Sequence, residues 1–112
     1  MEDWAEEANF AVTLCDRNGT ITFMNARSRK TFEKYGGGDL VGKSLLDCHP
    51  EPARSKLRAM LEKPSVNAYT IEKAGVRKLI YQAPLTKNGE PAGLAELSLE
   101  LPAEMPHFVR NP

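Results

Sequence analysis

Three stretches of the chain hold residue types that could do chemistry. Residues 37–44, Gly-Gly-Asp-Leu-Val-Gly-Lys-Ser, fit G-x-x-x-x-G-K-[ST], the loop whose backbone amides and lysine cradle phosphates while its hydroxyl holds Mg²⁺. Cys48 and His49 place a thiol beside an imidazole close to the start of a helix, where the dipole favours a thiolate and a redox or nucleophilic role. His49 is also a candidate axial ligand for haem, because imidazole suits iron. Gln82 stands among apolar neighbours, and if it points inward it can anchor the polar group of a ligand.

The surroundings weaken the first two. A phosphate loop must follow a buried strand, yet residues 26–35 carry four basic residues and one acid at helical spacing. Asp39 would set a negative charge against the phosphates. The plainer reading is that the glycines end one helix, Asp39 caps the next, and Gly42 permits close packing. Neighbours in sequence rarely face each other, so Cys48 and His49 lack a third orienting group, and a plain helix-start role is favoured for His49.

The elements that position these residues follow from periodicity. Met1, Trp4, Ala5 and Ala8 recur at helical spacing opposite Glu2, Asp3, Glu6 and Glu7, which predicts a short amphipathic helix. Residues 10–15 and 20–24 read as strands joined by Asp16-Arg17-Asn18-Gly19, which has the Asn-Gly chemistry of a tight hairpin. Asn25 caps a helix with Ser28, Phe32 and Tyr35 on one face, ended by Gly36, Gly37 and Gly38; a shorter helical turn is expected over 39–46. Pro50 and Pro52 open another helix, with Ala53, Leu57, Met60 and Leu61 as its apolar stripe, and Pro64 closes it. The period then becomes two. Residues 67–73, 76–85 and 92–101 read as strands turning at Ala74-Gly75 and at Lys87-Asn88-Gly89. In the last strand Ala95, Leu97, Leu99 and Leu101 are expected on a buried face and Glu96, Ser98 and Glu100 on a polar one. The prolines of the tail, Pro102, Pro106 and Pro112, argue against a helix there.

Bulk composition bounds the function. The 112 residues allow one domain and one core. Fifteen basic and fifteen acidic residues cancel, so no long-range attraction to nucleic acid or anionic membrane is expected. No apolar run approaches the ~18 residues needed to span a bilayer, and the start is acidic, unlike a signal peptide. Two cysteines read as reduced thiols of a cytoplasmic protein, with one bridge left open.

The element order, with Asp16-x-x-Gly19, the strand ending in Asn25, residues 39–44 ahead of Asp47-Cys48-His49-Pro50-Glu51, and the closing hairpin through Asn88-Gly89, resembles the PAS domain family over residues 8–101. The resemblance implies a sheet curved around a helical flank, enclosing a pocket that in various members holds haem, a flavin, a fatty acid, another small metabolite or nothing. It also implies dimerisation through an N-terminal helix and the outer sheet face. No asparagine-cysteine flavin-attachment motif surrounds Cys48. Haem ligands of the family usually lie further into the following helix, where this chain has Leu57, Arg58 and Met60. The helical linker that leads onward in most such sensors is replaced by a proline-bearing tail, so the output of a complete chain would act in trans.

The expectation is therefore an α+β, PAS-like domain, a five-stranded antiparallel sheet with short helices on one face. Residues 1–9 form the N-terminal helix, 10–101 the sensor domain and 102–112 the tail. It is expected to be no enzyme, to hold no metal, and to bind a small apolar ligand against Leu45, His49, Leu57, Met60, Leu61, Tyr69, Ile80, Gln82 and Leu97, residues that otherwise simply form the core. An empty cavity of ~200 Å³ would cost on the order of 5 kcal/mol, so a pocket of that size calls for a ligand or water. Signalling would run through a homodimer using Trp4 and Ala8 or through a partner in trans. The alternatives are a ligand-free interaction module and a haem-based redox or gas sensor using His49.

Overall fold

The computed structural model describes residues 3–112; Met1 and Glu2, two members of the expected first helix, lie outside them. Helix α1 (Asp3–Glu7) is followed by strands β1 (Ala11–Cys15) and β2 (Ile21–Met24), then α2 (Ala26–Thr31). Three single 3₁₀ turns come next, at Glu33–Tyr35, Gly37–Leu40 and Leu45–Cys48, before α3 (Ala53–Glu62). Strands β3 (Asn67–Lys73), β4 (Val76–Lys87) and β5 (Glu90–Glu100) complete the chain, and residues 102–112 form no helix. The five strands form one antiparallel sheet in the order β2-β1-β5-β4-β3. β5 thus lies in the centre, joining the N-terminal hairpin to the C-terminal one.

Turn chemistry sets the registers. Ala74-Gly75 and Asn88-Gly89 each have positive φ at both positions, the geometry whose twist matches the flanking strands. The first hairpin differs from the expected Asn-Gly turn: only Gly19 has positive φ, its amide bonds the Asp16 carbonyl at 3.0 Å, and the ladder slips at Leu14/Cys15. Asp16 holds this longer turn by accepting from the amides of Asn18 at 2.9 Å and Thr20 at 3.0 Å.

Asn25 does more than cap. It is fully buried, and its Oδ1 accepts from the amides of Ser28 and Val12, each at 2.9 Å. Its Nδ2 donates to the carbonyls of Ala5 at 2.8 Å and Phe10 at 2.9 Å. One side chain therefore fastens α1, β1 and the start of α2 together, with every hydrogen-bonding position used.

The core is a cluster of Cys15, Ile21, Met24, Leu40, Leu45, Leu57, Met60 and Leu94, with Leu61 packed against it. Helix α3 supplies Leu57 and Met60, both 1% exposed, from its inward stripe. Two expectations about neighbouring segments need correction. Residues 39–46 are not one helical turn: between two separate 3₁₀ turns, residues 41–44 form a turn and a bend beside the first hairpin, with Thr20 and Ser44 bridged antiparallel. Asp39 makes no cap hydrogen bond; Gly36 occupies that position instead. The faces of β5 are also opposite to expectation. Glu96 is only 8% exposed and lies inside with Leu94, whereas Ala95, Leu97 and Leu99 are on the outer side, half-buried. The period of two was right and its sign wrong, because Glu96, Gln82 and Thr13 share one inward row and hydrogen bonds inside the fold offset their burial.

Candidate functional site: a polar-floored cleft on the inner sheet face

Where the sheet runs past the packed cluster toward β3 and β4, its inner face borders a cleft of about 200 Å³. Register places the side chains. Tyr69 pairs with Ile80 and Ile80 with Ser98, while Gln82 pairs with Glu96 and Glu96 with Thr13. The opposite wall comes from Phe32 and Tyr35 after α2, and from Cys48 and His49 at the end of the third 3₁₀ turn.

A buried chain of hydrogen bonds forms one edge of the cleft. Asn67 Nδ2 donates to Gln82 Oε1 at 2.9 Å, and Gln82 Nε2 donates to Glu96 Oε1 at 2.7 Å. His49 Nε2 lies 3.2 Å from the same carboxylate oxygen, and its Nδ1 is 3.0 Å from the Leu45 carbonyl. A carbonyl only accepts, so Nδ1 carries a proton, and a second proton on Nε2 makes the pair an imidazolium facing a carboxylate. Burial, the largest influence on His49, disfavours its charged form, but the hydrogen bond and charge of Glu96, with the Leu45 carbonyl, outweigh it and raise the pKa above 6.5. Burial, followed by the Glu96 charge, likewise pushes the Tyr69 phenol up.

The candidate residues divide into three groups. His49, Tyr69 and Ile80 line the cleft, and Gln82, 1% exposed, faces inward one hydrogen bond behind Glu96. Leu45, Leu57 and Met60 are in the packed cluster with Leu61 against it and form core, not the lining of this cleft. Leu97 sits on the outer sheet face, paired with Val12 and Tyr81, because the β5 alternation is reversed from the expected one. Trp4 is 63% exposed on α1, whereas Ala8 lies beyond the helix end and is half-buried. Glu96, the residue that organises the cleft, was placed outside by its chemistry alone. The signal that locates it is its register between Thr13 and Gln82.

The other two chemical motifs lose their roles here. In residues 37–44 the amides that a phosphate would need are already used: Gly42 bonds the Ile21 carbonyl at 2.8 Å and Lys43 the Leu40 carbonyl at 2.9 Å, and Leu45 just beyond bonds that of Gly19 at 2.7 Å. Gly42 is required for its φ of +94°, not for close packing, since a Cβ there would meet open space. Cys48 closes its 3₁₀ turn instead of opening a helix, and burial, then the Asp47 and Glu96 charges, push its thiol up and keep it protonated. Both cysteines are free thiols. His49 does not fit haem ligation as it stands, because both ring nitrogens are already hydrogen-bonded.

A family model described as the PAS fold matches residues 5–101, and the chain belongs to that family. Solved structures align with it at low identity. A PAS-haem oxygen sensor, the Aer2 receptor of Vibrio cholerae, is 18% identical with a TM-score of 0.63, covering 84% of this chain and 96% of that one. The PAS domain of the histidine kinase ThkA is 17% identical with a TM-score of 0.64, covering 80% and 97%. The LOV protein of Rhodobacter sphaeroides is 16% identical with a TM-score of 0.64, covering 88% and 64%. A search of curated protein sequences finds no match. Among the described residues no helix is long and apolar enough to cross a membrane.

Proposed function

We propose that this domain is a cytoplasmic sensory module that takes a small ligand into the cleft and reports its presence through the outer face of the sheet. The observation that carries the reading is the cleft of about 200 Å³ with a buried carboxylate, Glu96, in its lining. A packed core has no use for such a group, whereas a binding site uses a few placed polar groups on apolar walls. Membership of a family that includes the sensor and kinase domains aligned above supports the signalling half of the proposal.

A ligand shifts the domain between two states only if it binds them unequally. The Glu96 chain provides a route for that difference: it runs from the third 3₁₀ turn across β5 and β4 to β3. Leu79, Tyr81, Leu97 and Leu99 lie together on the outer face by register, and a second copy or an output partner covering them would respond to a change in the curl of β4 and β5. Exposed Trp4 on α1 offers a further apolar contact for a homodimer, and an output partner would act in trans. The same outer surface favours a second reading, a ligand-free dimerisation module.

Native mass spectrometry of freshly purified full-length chain tests the two together. A retained small molecule, lost on Ile80→Trp filling of the cleft, is the expected result. Protein masses alone, with no compound from a small-molecule panel perturbing Ile80 or Ile71, overturn the sensor reading and leave the interaction module.

A further inference from the structure

We infer that the cleft takes a small organic acid whose apolar body carries a neutral hydrogen-bond donor at one end and a carboxylate at the other. This deepens the ligand-binding reading above and rests on it.

The inner end of the cleft supplies the first half. Glu96 is 8% exposed, and its Oε1 takes both of its side-chain partners, Gln82 and His49. Among the described residues no group donates to Oε2, and Glu96 lines the cleft. Oε2 keeps some exposure to the cleft, so a ligand donor entering there takes the place of water on it. That donor must be neutral. The His49 imidazolium already faces the same carboxylate, and a second cation beside it would be repelled in a half-desolvated space.

The mouth supplies the second half. Lys73 and Lys78 both line it, from neighbouring strands. Among the described residues neither has a carboxylate within ion-pair distance, and Glu100, which pairs with Lys78 in register, does not approach it. Two unneutralised ammonium groups beside an apolar wall attract an anion.

Length follows from register. Lys78 pairs with Glu100 and Gln82 with Glu96, so the two ends lie four residues apart along the strand, roughly 14 Å at ~3.4 Å per residue. A lysine stem reaches back by about 6 Å, which leaves a ligand of roughly 8 Å. Ile80, Tyr69 and Phe32 flank that span with apolar surface. The volume of about 200 Å³ is below that of sites for drug-sized molecules, so one ring and a short chain fill it.

Four probes titrated into the full chain at neutral pH test this, read by isothermal calorimetry and by the methyl resonances of Ile71 and Ile80. They are 3-(4-hydroxyphenyl)propanoate, 3-phenylpropanoate without the donor, 4-ethylphenol without the acid, and tyramine with a cation in place of the acid. The first is expected to bind tightest. Losing the hydroxyl weakens binding about tenfold, one hydrogen bond's worth, and losing the acid roughly fivefold. Tyramine binds weakest. Replacing both lysines, Lys73→Gln with Lys78→Gln, removes the advantage of the acid and leaves 4-ethylphenol unchanged. Equal binding of 3-phenylpropanoate, 4-ethylphenol and the hydroxy acid overturns this inference while the ligand site stands. Failure of all four, 4-ethylphenol included, to shift either isoleucine at millimolar concentration overturns the ligand site as well.

Discussion

Two halves of the same sheet face are built from different materials. Around β1, β2 and Leu94 of β5 the inner face is dry: Cys15, Ile21, Met24 and Leu94 meet Leu40, Leu45, Leu57 and Met60 with almost no exposed surface. Around β3 and β4 the same face presents Tyr69, Ile71 and Ile80, with Glu96 of β5, to a cleft, and Ile71 is 40% exposed. The first half holds the fold together by burying apolar area. The second half, spared that task, accommodates a buried carboxylate and an unfilled volume. Tolerance of polar burial is local: it depends on the hydrogen-bonded chain through His49, Gln82 and Asn67.

Truncations in the dry half should have the largest effect. Leu57→Ala is expected to lower stability by about 2–5 kcal/mol, because a fully enclosed site collapses poorly around the lost methyls; urea denaturation measures it. A loss under about 1 kcal/mol would mean the two halves are equally loose. Asn25→Ala comes next, at roughly 2–3 kcal/mol, since it removes a helix cap and strands buried partners on α1 and β1. Because α1 hangs on this side chain, amide exchange in residues 3–8 should accelerate in the same variant.

The polar half is tested through His49. Glu96→Gln should cost about 1–3 kcal/mol and move the His49 titration, followed by imidazole proton shifts, from above 6.5 to below it. Burial remains in that variant while the opposing carboxylate is gone, so the direction reverses. A midpoint that stays above 6.5 would show that Glu96 is not what holds the proton. In the wild type the folded pKa is raised, so the contribution of His49 to stability is complete below its unfolded value near 6.5 and is lost as pH rises through the folded value. Denaturation midpoints at pH 6 and pH 9 should therefore differ more in wild type than in His49→Asn. Ile71→Ala, at the open end, should change stability least, by about 0.5 kcal/mol.

Much of the fold was legible along the chain. The order of elements, the hairpins at Ala74-Gly75 and Asn88-Gly89, the cap at Asn25 and the apolar stripe of α3 all depend on local chemistry: turn dihedrals, cap hydrogen bonds and periodicity. Residues 41–44 are not helical because Gly42 and Lys43 exchange bonds with Ile21 and Ser44 bridges Thr20, partners more than twenty positions away that periodicity does not show. The site was legible only in part. His49, Tyr69, Ile80 and Gln82 were marked by type, while Leu45, Leu57, Met60 and Leu61 fit a pocket as well as they fit a core, and only packing separates the two.

What the sequence determined by itself was the order of the strands and main helices, the turns at Ala74-Gly75 and Asn88-Gly89 and the two-residue alternation of β5, since each is decided within a few residues. Which face of β5 points inward was decided by tertiary structure. Alternation fixes the period of a strand and not its sign, and the sign was set when Glu96 found Gln82 and His49, residues 14 and 47 positions distant, to replace the water it gave up.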